Sequence, residues 1–187
     1  MKNGVMALTV AGNVFGIAAC VLLLAGSLGP AFLCVIVAML LDMLDGPLAR
    51  RAGVTSRAGG WLDALTDVCI YVFFPAIFWQ QSYGLLAVVL GVFMAAGIFR
   101  LIRFTLRGFQ ADNAKLFYPG MPVFYSQFLL VLTFALRFDT SVLSAMLFAV
   151  AALNISVIPF AKLPVRVLSA GLVVYIALVI MRLANVL

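Results

Sequence analysis

Six interruptions punctuate an otherwise apolar chain: Gly26 to Pro30, Arg50 to Gly60, Gln80 to Gly84, Arg107 to Pro119, Arg137 to Thr140 and Ala161 to Pro164. Between them lie seven apolar runs, at 4–26, 30–49, 60–79, 84–106, 119–136, 140–160 and 164–186. These runs do not alternate, so they predict helices and not the ~10-residue alternating strands of a membrane barrel. A helix rising about 1.5 Å per residue crosses the hydrocarbon in about 20 residues. The pattern therefore predicts an all-α, polytopic transmembrane bundle of six to seven spans, organised as one domain over 1–187. The opening MKNGVMALTV continues into further apolar chain and reads as the first span.

Composition agrees with a membrane solvent. The chain is 66% apolar and 10% charged, with a mean hydropathy of +1.25, whereas roughly a quarter of a soluble domain is charged. Cys20, Cys34 and Cys69 sit in apolar runs without CxxC spacing and read as small buried hydrophobes. Trp61 and Trp79 read as lipid-facing or interfacial aromatics.

The basic residues set an orientation. With the N-terminus in the cytoplasm, the inner side holds Lys2, Arg50, Arg51, Arg57, Arg100, Arg103, Arg107, Lys115, Lys162 and Arg166, ten of the twelve. Arg137 and Arg182 fall outside. The site described next then faces the cytoplasm of a prokaryotic-type membrane, with Lys162 and Arg166 as interfacial anchors.

The acids carry the chemistry. All six are Asp, there is no His or Glu, and Asp42, Asp45, Asp63 and Asp67 fall within 26 residues. A charged Asp at the centre of a span costs about 2.5–3.5 kcal/mol, so four unpaired would cost of order 10 kcal/mol. Asp42 and Asp45 are three apart and Asp63 and Asp67 four apart, so each pair shares a helical face. A short inner loop between antiparallel helices brings the pairs level. The result is an all-oxygen site, suited to Mg2+, Mn2+ or Ca2+ over zinc or copper. Two ions about 3.5–4 Å apart, bridged by carboxylates, is an arrangement used for phosphoryl transfer. The alternatives are a buried ion network with Arg50, Arg51 and Arg57, and a divalent-cation channel or carrier.

Residues 42–67 read DMLDGPLARRAGVTSRAGGWLDALTD, with Asp42, Asp45, Gly46, Ala49, Arg50, Gly59, Asp63 and Asp67 at fixed spacing. This resembles the signature of the CDP-alcohol phosphatidyltransferases. The resemblance implies a membrane enzyme that transfers a phosphatidyl group from a CDP-linked lipid to an alcohol, releasing CMP. It further implies a Mg2+ or Mn2+ centre, of two ions, held by the four acids, with Asp67 as the base for the attacking hydroxyl. Gly46, Gly59 and the small Ala49 would let the nucleotide approach the backbone, and Arg50 would offer its fork to a phosphate. Thr9 and Asn13 stand where family members carry Thr and Asn near the diphosphate, or are packing polar groups. A homodimer is expected because the family forms them, and nucleic acid is not an expected partner.

Residues 59–76, GGWLDALTDVCIYVFFPA, with 100–104, RLIRF, and 115–122, KLFYPGMP, resemble the phosphatidylserine synthases within this family. That implies CDP-diacylglycerol as donor and L-serine as acceptor. Glycerol phosphate, inositol phosphate and a choline-type alcohol are the other acceptors to weigh. Arg100, Arg103 and Lys115 are then the cations for the serine carboxylate or the donor phosphate. Loop charge facing anionic lipid is the plainer reading of the same three.

Overall fold

The computed structural model describes residues 2–53, 57–108, 110–112, 115–161 and 164–184. The protein is mostly helical. The helices are α1 (Lys2–Leu24), α2 (Leu28–Arg51), α3 (Arg57–Asp67), α4 (Phe74–Tyr83), α5 (Ala87–Arg107), α6 (Tyr125–Ala135), α7 (Thr140–Ile155) and α8 (Val165–Leu183). A π-helical turn, Val68–Phe73, joins α3 to α4. Among the described residues, four stretches are long and apolar enough to cross a membrane: Gly4–Leu24, Leu28–Arg51, Ala58–Tyr83 and Ala87–Arg107. The apolar helices at Tyr125–Ala135, Thr140–Ile155 and Val167–Leu183 are shorter.

Chain contacts divide the protein into two compact units, Met1–Ile77 and Phe78–Leu187. In the first, α1 packs on α2, α3 and the π turn. One face of α1 is buried through Thr9, Gly12, Asn13, Gly16, Ala19 and Leu23, spaced by three or four residues as a helical stripe requires. Its glycines allow close approach. A Cβ at Gly16 would lie 3.2 Å from Cys69 Cβ and 3.3 Å from Ile70 Cγ2, and one at Gly12 would lie 3.5 Å from Thr66 Cγ2. α2 answers with Ala31, Phe32, Val35 and Ala38, and Phe32 meets Phe74 edge to face at 5.3 Å. The opposite side of α1 exposes Val10, Val14, Ile17 and Val21, which suits hydrocarbon. The thiols of Cys20, Cys34 and Cys69 are free, and Cys20 Sγ lies 3.5 Å from the Cys69 carbonyl.

In the second unit α5 packs on α7 and α6 on α8. Trp79 belongs to this core. It is fully buried, meets Phe93 edge to face at 5.3 Å, and donates Nε1–H to Thr133 Oγ1 at 2.8 Å. The expectation of a lipid-facing Trp79 is corrected accordingly, because Thr133 supplies the acceptor that a buried indole needs. Trp61, by contrast, is exposed.

Two expected helices are shorter than the hydropathy pattern suggests. The run from 119 becomes helical only at Tyr125, after Pro119, Gly120 and Pro122, and the run from 140 stops at Ile155, ahead of Pro159. Proline has no N–H for the helix ladder. The tail of the second of these runs joins the interruption at 107–119 in an antiparallel sheet, β1 (Gln110–Asp112), β2 (Lys115–Pro119) and β3 (Pro159–Ala161), in that order. Its register pairs Phe117 with both Gln110 and Ala161. An expected loop is therefore a hairpin, and among the described residues the mostly helical architecture is interrupted by these three short strands.

Candidate active site

The C-terminal half of α2 carries Asp42 and Asp45, and α3 carries Asp63 and Asp67. Asp42, Asp45 and Asp63 each place one carboxylate oxygen within 4.8 Å of the others. Asp67 lies one helical turn beyond Asp63, and its charge, with those of Asp45 and Asp63, acts on Asp42. An octahedral cation with ligands about 2.1 Å away holds opposite ligands about 4.2 Å apart, and calcium, at 2.3–2.6 Å, about 4.6–5.2 Å apart. The three oxygens thus fit around a single hard cation with little movement. The donor set is all oxygen and mutually repulsive, which is the chemistry such an ion neutralises.

Three side chains brace this cluster with hydrogen bonds. Thr9 Oγ1–H donates to Asp45 Oδ2 at 2.8 Å, and Asp45 is buried. Asn13 Nδ2–H donates to the carbonyls of Thr9 (3.0 Å) and Leu62 (3.1 Å), fastening α1 to the residue before Asp63. Its Oδ1 is buried and has no partner among the described residues. Tyr71 O–H, from the π turn, donates to Asp42 Oδ2 at 3.3 Å. Sequence reasoning noted residues 59–76 as a block but gave Tyr71 no role. The available signal was its place at the end of the four-residue series Asp63, Asp67, Tyr71.

The remaining expected donor-site residues lie around the same helices. Gly46 sits beside Arg50, whose Nη1 would be 3.5 Å from a Cβ there. Arg50 is exposed, its charge is felt by Asp63, and Ala49 and Gly59 are half-buried. The side chain of Arg57 lies outside the described residues.

The two basic and aromatic motifs of the second unit meet each other. Arg100 is 3% exposed and places Cζ 5.0 Å from the centroid of Phe104 and 5.3 Å from that of Tyr118, and those two rings are themselves 5.5 Å apart. Arg103, expected as an acceptor cation, donates instead to main chain. Nη1 bonds the Ile155 carbonyl at 2.8 Å, and Nη2 those of Pro119 (2.7 Å), Ser156 (2.8 Å) and Asn154 (2.9 Å). Three of these carbonyls end α7, where helix carbonyls lack intrahelical donors and a cation is favoured. Gly120 makes room for this clamp. Its φ is +79°, and a Cβ would fall 2.7 Å from the Ser156 carbonyl oxygen, 2.8 Å from that of Asn154, and against Arg103 itself. The side chain of Lys115 lies outside the described residues.

A family model for CDP-alcohol phosphatidyltransferase matches residues 5–187. The chain belongs to this family. Phosphatidylcholine synthase of Agrobacterium fabrum is a relative, 31% identical over 138 residues, which cover 70% of this chain and 54% of that protein. The chain spans about half the length of the curated relative it matches. Membership and the apolar helices together make this CDP-alcohol phosphatidyltransferase family member an integral membrane protein.

Proposed function

We propose that the protein synthesises phospholipid by transferring a phosphatidyl group from CDP-diacylglycerol to the hydroxyl of a small alcohol. The observation that carries this reading is the convergence of Asp42, Asp45 and Asp63 from two helices, with Asp67 one turn away. The acceptor oxygen forms a bond to the lipid-side phosphorus, the bridging P–O bond breaks, and CMP leaves. Asp67 takes the hydroxyl proton. A divalent cation, Mg2+ or Mn2+, held by the acids would neutralise the diphosphate, and the family pattern suggests two. Thr9 keeps Asp45 turned toward the centre, Asn13 holds the backbone ahead of Asp63, and Arg50 offers its fork to a donor phosphate across the low profile of Gly46 and Ala49. Gly59 gives the nucleotide similar room. The excess of Arg and Lys on one side supports a cytoplasmic active site, and the family supports a homodimer.

For the acceptor, the motif resemblance supports L-serine, with Arg100 as the carboxylate partner and Lys115 as a second cation. Arg103 is left out of that set because its terminal nitrogens already serve four carbonyls. A second reading, choline, is favoured by the phosphatidylcholine synthase relative. Choline has no carboxylate and needs no such cation.

The test is CMP release from labelled CDP-diacylglycerol by purified protein, with Mn2+ or EDTA, against serine, choline, glycerol phosphate and inositol phosphate. Metal-dependent, acceptor-dependent release is expected. A protein that moves divalent cations across vesicles and never releases CMP is a transporter, and the transferase reading falls. The preferred alcohol decides between serine and choline.

A further inference from the structure

Among the groups that touch the carboxylate cluster, Tyr71 stands outside the spacing signature. It is 7% exposed and belongs to the π turn directly after Asp67. A phenol buried there needs a hydrogen-bond partner, since an unpaired hydroxyl away from water costs free energy that Phe would avoid. Its partner is Asp42 Oδ2. Along an α-helix each step of four residues advances about 40° around the axis, so Asp63, Asp67 and Tyr71 would drift off a common face. The wider π turn winds less per residue and returns Tyr71 toward the side of Asp63.

We infer that Tyr71 is a positioning residue that orients the Asp42 carboxylate for the divalent cation, an inference that rests on the metal reading above. The phenol suits the task because it is a neutral donor. Asp45, Asp63 and Asp67 already repel a charge on Asp42. A Lys or Arg at 71 would pair with Asp42 and compete with the ion. Tyr71 instead occupies a lone pair on Oδ2, fixes the carboxylate's rotation, and leaves its negative charge for the metal. Outer-shell donors of this kind change metal affinity by 10–100-fold when removed.

The experiment is Mn2+ titration of the purified full chain in detergent, following free Mn2+ by electron paramagnetic resonance, for wild type, Tyr71→Phe, Tyr71→Met and Asp42→Asn. Both Tyr71 variants fill the space and lack the donor, so one of them suffices if the other fails to fold. The Mn2+ Kd is expected to rise about tenfold in the Tyr71 variants. Their thermal midpoint in EDTA should match wild type. Asp42→Asn should lose the site. If Asp42→Asn loses Mn2+ while both Tyr71 variants keep the wild-type Kd, the role given to Tyr71 is wrong and the metal reading stands. If Asp42→Asn binds Mn2+ like wild type, the metal reading fails and takes this inference with it. A Tyr71 variant that loses thermal stability in EDTA with no change in Kd marks the hydroxyl as packing alone.

Discussion

Asp42 lies beside three other carboxylates, one of them Asp63 at hydrogen-bond range, and accepts a hydrogen bond from Tyr71, surroundings that a cation would neutralise. Replacing Asp42 or Asp63 by Asn removes that charge and leaves an amide, a poor ligand for hard ions. Transfer should fall at least about 100-fold in either variant, with membrane insertion intact, as CMP-release assays on purified protein would show. Asp67→Asn should behave differently. A base acts mainly in the transition state, so kcat should drop far more than CDP-lipid affinity, measured in parallel by equilibrium binding. Equal losses in the two would make Asp67 a ligand first. Arg100→Ala tests the acceptor. Losing a charge-assisted hydrogen bond costs about 1.5–3 kcal/mol, so kcat/KM for serine should fall roughly 10- to 150-fold while CDP-lipid binding holds. An unchanged value for serine would favour a carboxylate-free alcohol.

At the scale of elements, short contacts between helices set where these side chains stand. α1 can brace α2 and α3 only because Gly12 and Gly16 keep its buried face low. A larger side chain at Gly16 must displace Cys69 and Ile70 or push α1 outward, and overpacking of this sort costs about 1–3 kcal/mol. Gly16→Leu should therefore lower the thermal midpoint and loosen the Thr9–Asp45 contact, read as weaker Mn2+ binding. The Arg103 clamp is the matching device in the second unit, tying α5 to β2 and to the end of α7. Arg103→Leu leaves four carbonyls without that donor, and Gly120→Ala drives a methyl into them at positive φ. Both variants should lower the thermal midpoint, and the glycine variant should lose at least the ~1–3 kcal/mol of stability typical of left-handed strain. Differential scanning fluorimetry in detergent reads both directly.

For the whole molecule, a cation that binds only the folded protein adds stability by mass action, about 2.7 kcal/mol at a hundredfold excess over Kd. Mn2+ should raise the thermal midpoint, and EDTA should lower it to a value that Asp42→Asn shows in either condition. Orientation is testable on the same scale. If the N-terminus lies in the cytoplasm, the orientation that would put ten of the twelve basic residues inside, a cysteine introduced at Arg51 in a cysteine-free background should be labelled only when the cytoplasmic face is open to reagent.

The sequence by itself determined the helices and the identity of the acids, because both are local matters. A long apolar run has few ways to satisfy its backbone in a membrane other than as a helix. Spacings of three and four put Asp42 with Asp45 and Asp63 with Asp67 on shared faces. What those faces meet is not local. That Thr9 serves Asp45, that Tyr71 reaches Asp42 across 29 residues, and that Arg103 spends its donors on α7 depend on which helices lie side by side. Trp79 looked like a lipid-facing ring because nothing near it in the chain announces Thr133, 54 residues away. The strands at 110–161 stayed hidden for a related reason. Hydropathy marks 107–119 only as a break, and it cannot separate the short strand at 159–161 from the end of an apolar helix; only pairing with β2, about 40 residues away, gives the N–H and C=O groups of β3 a reason to be extended.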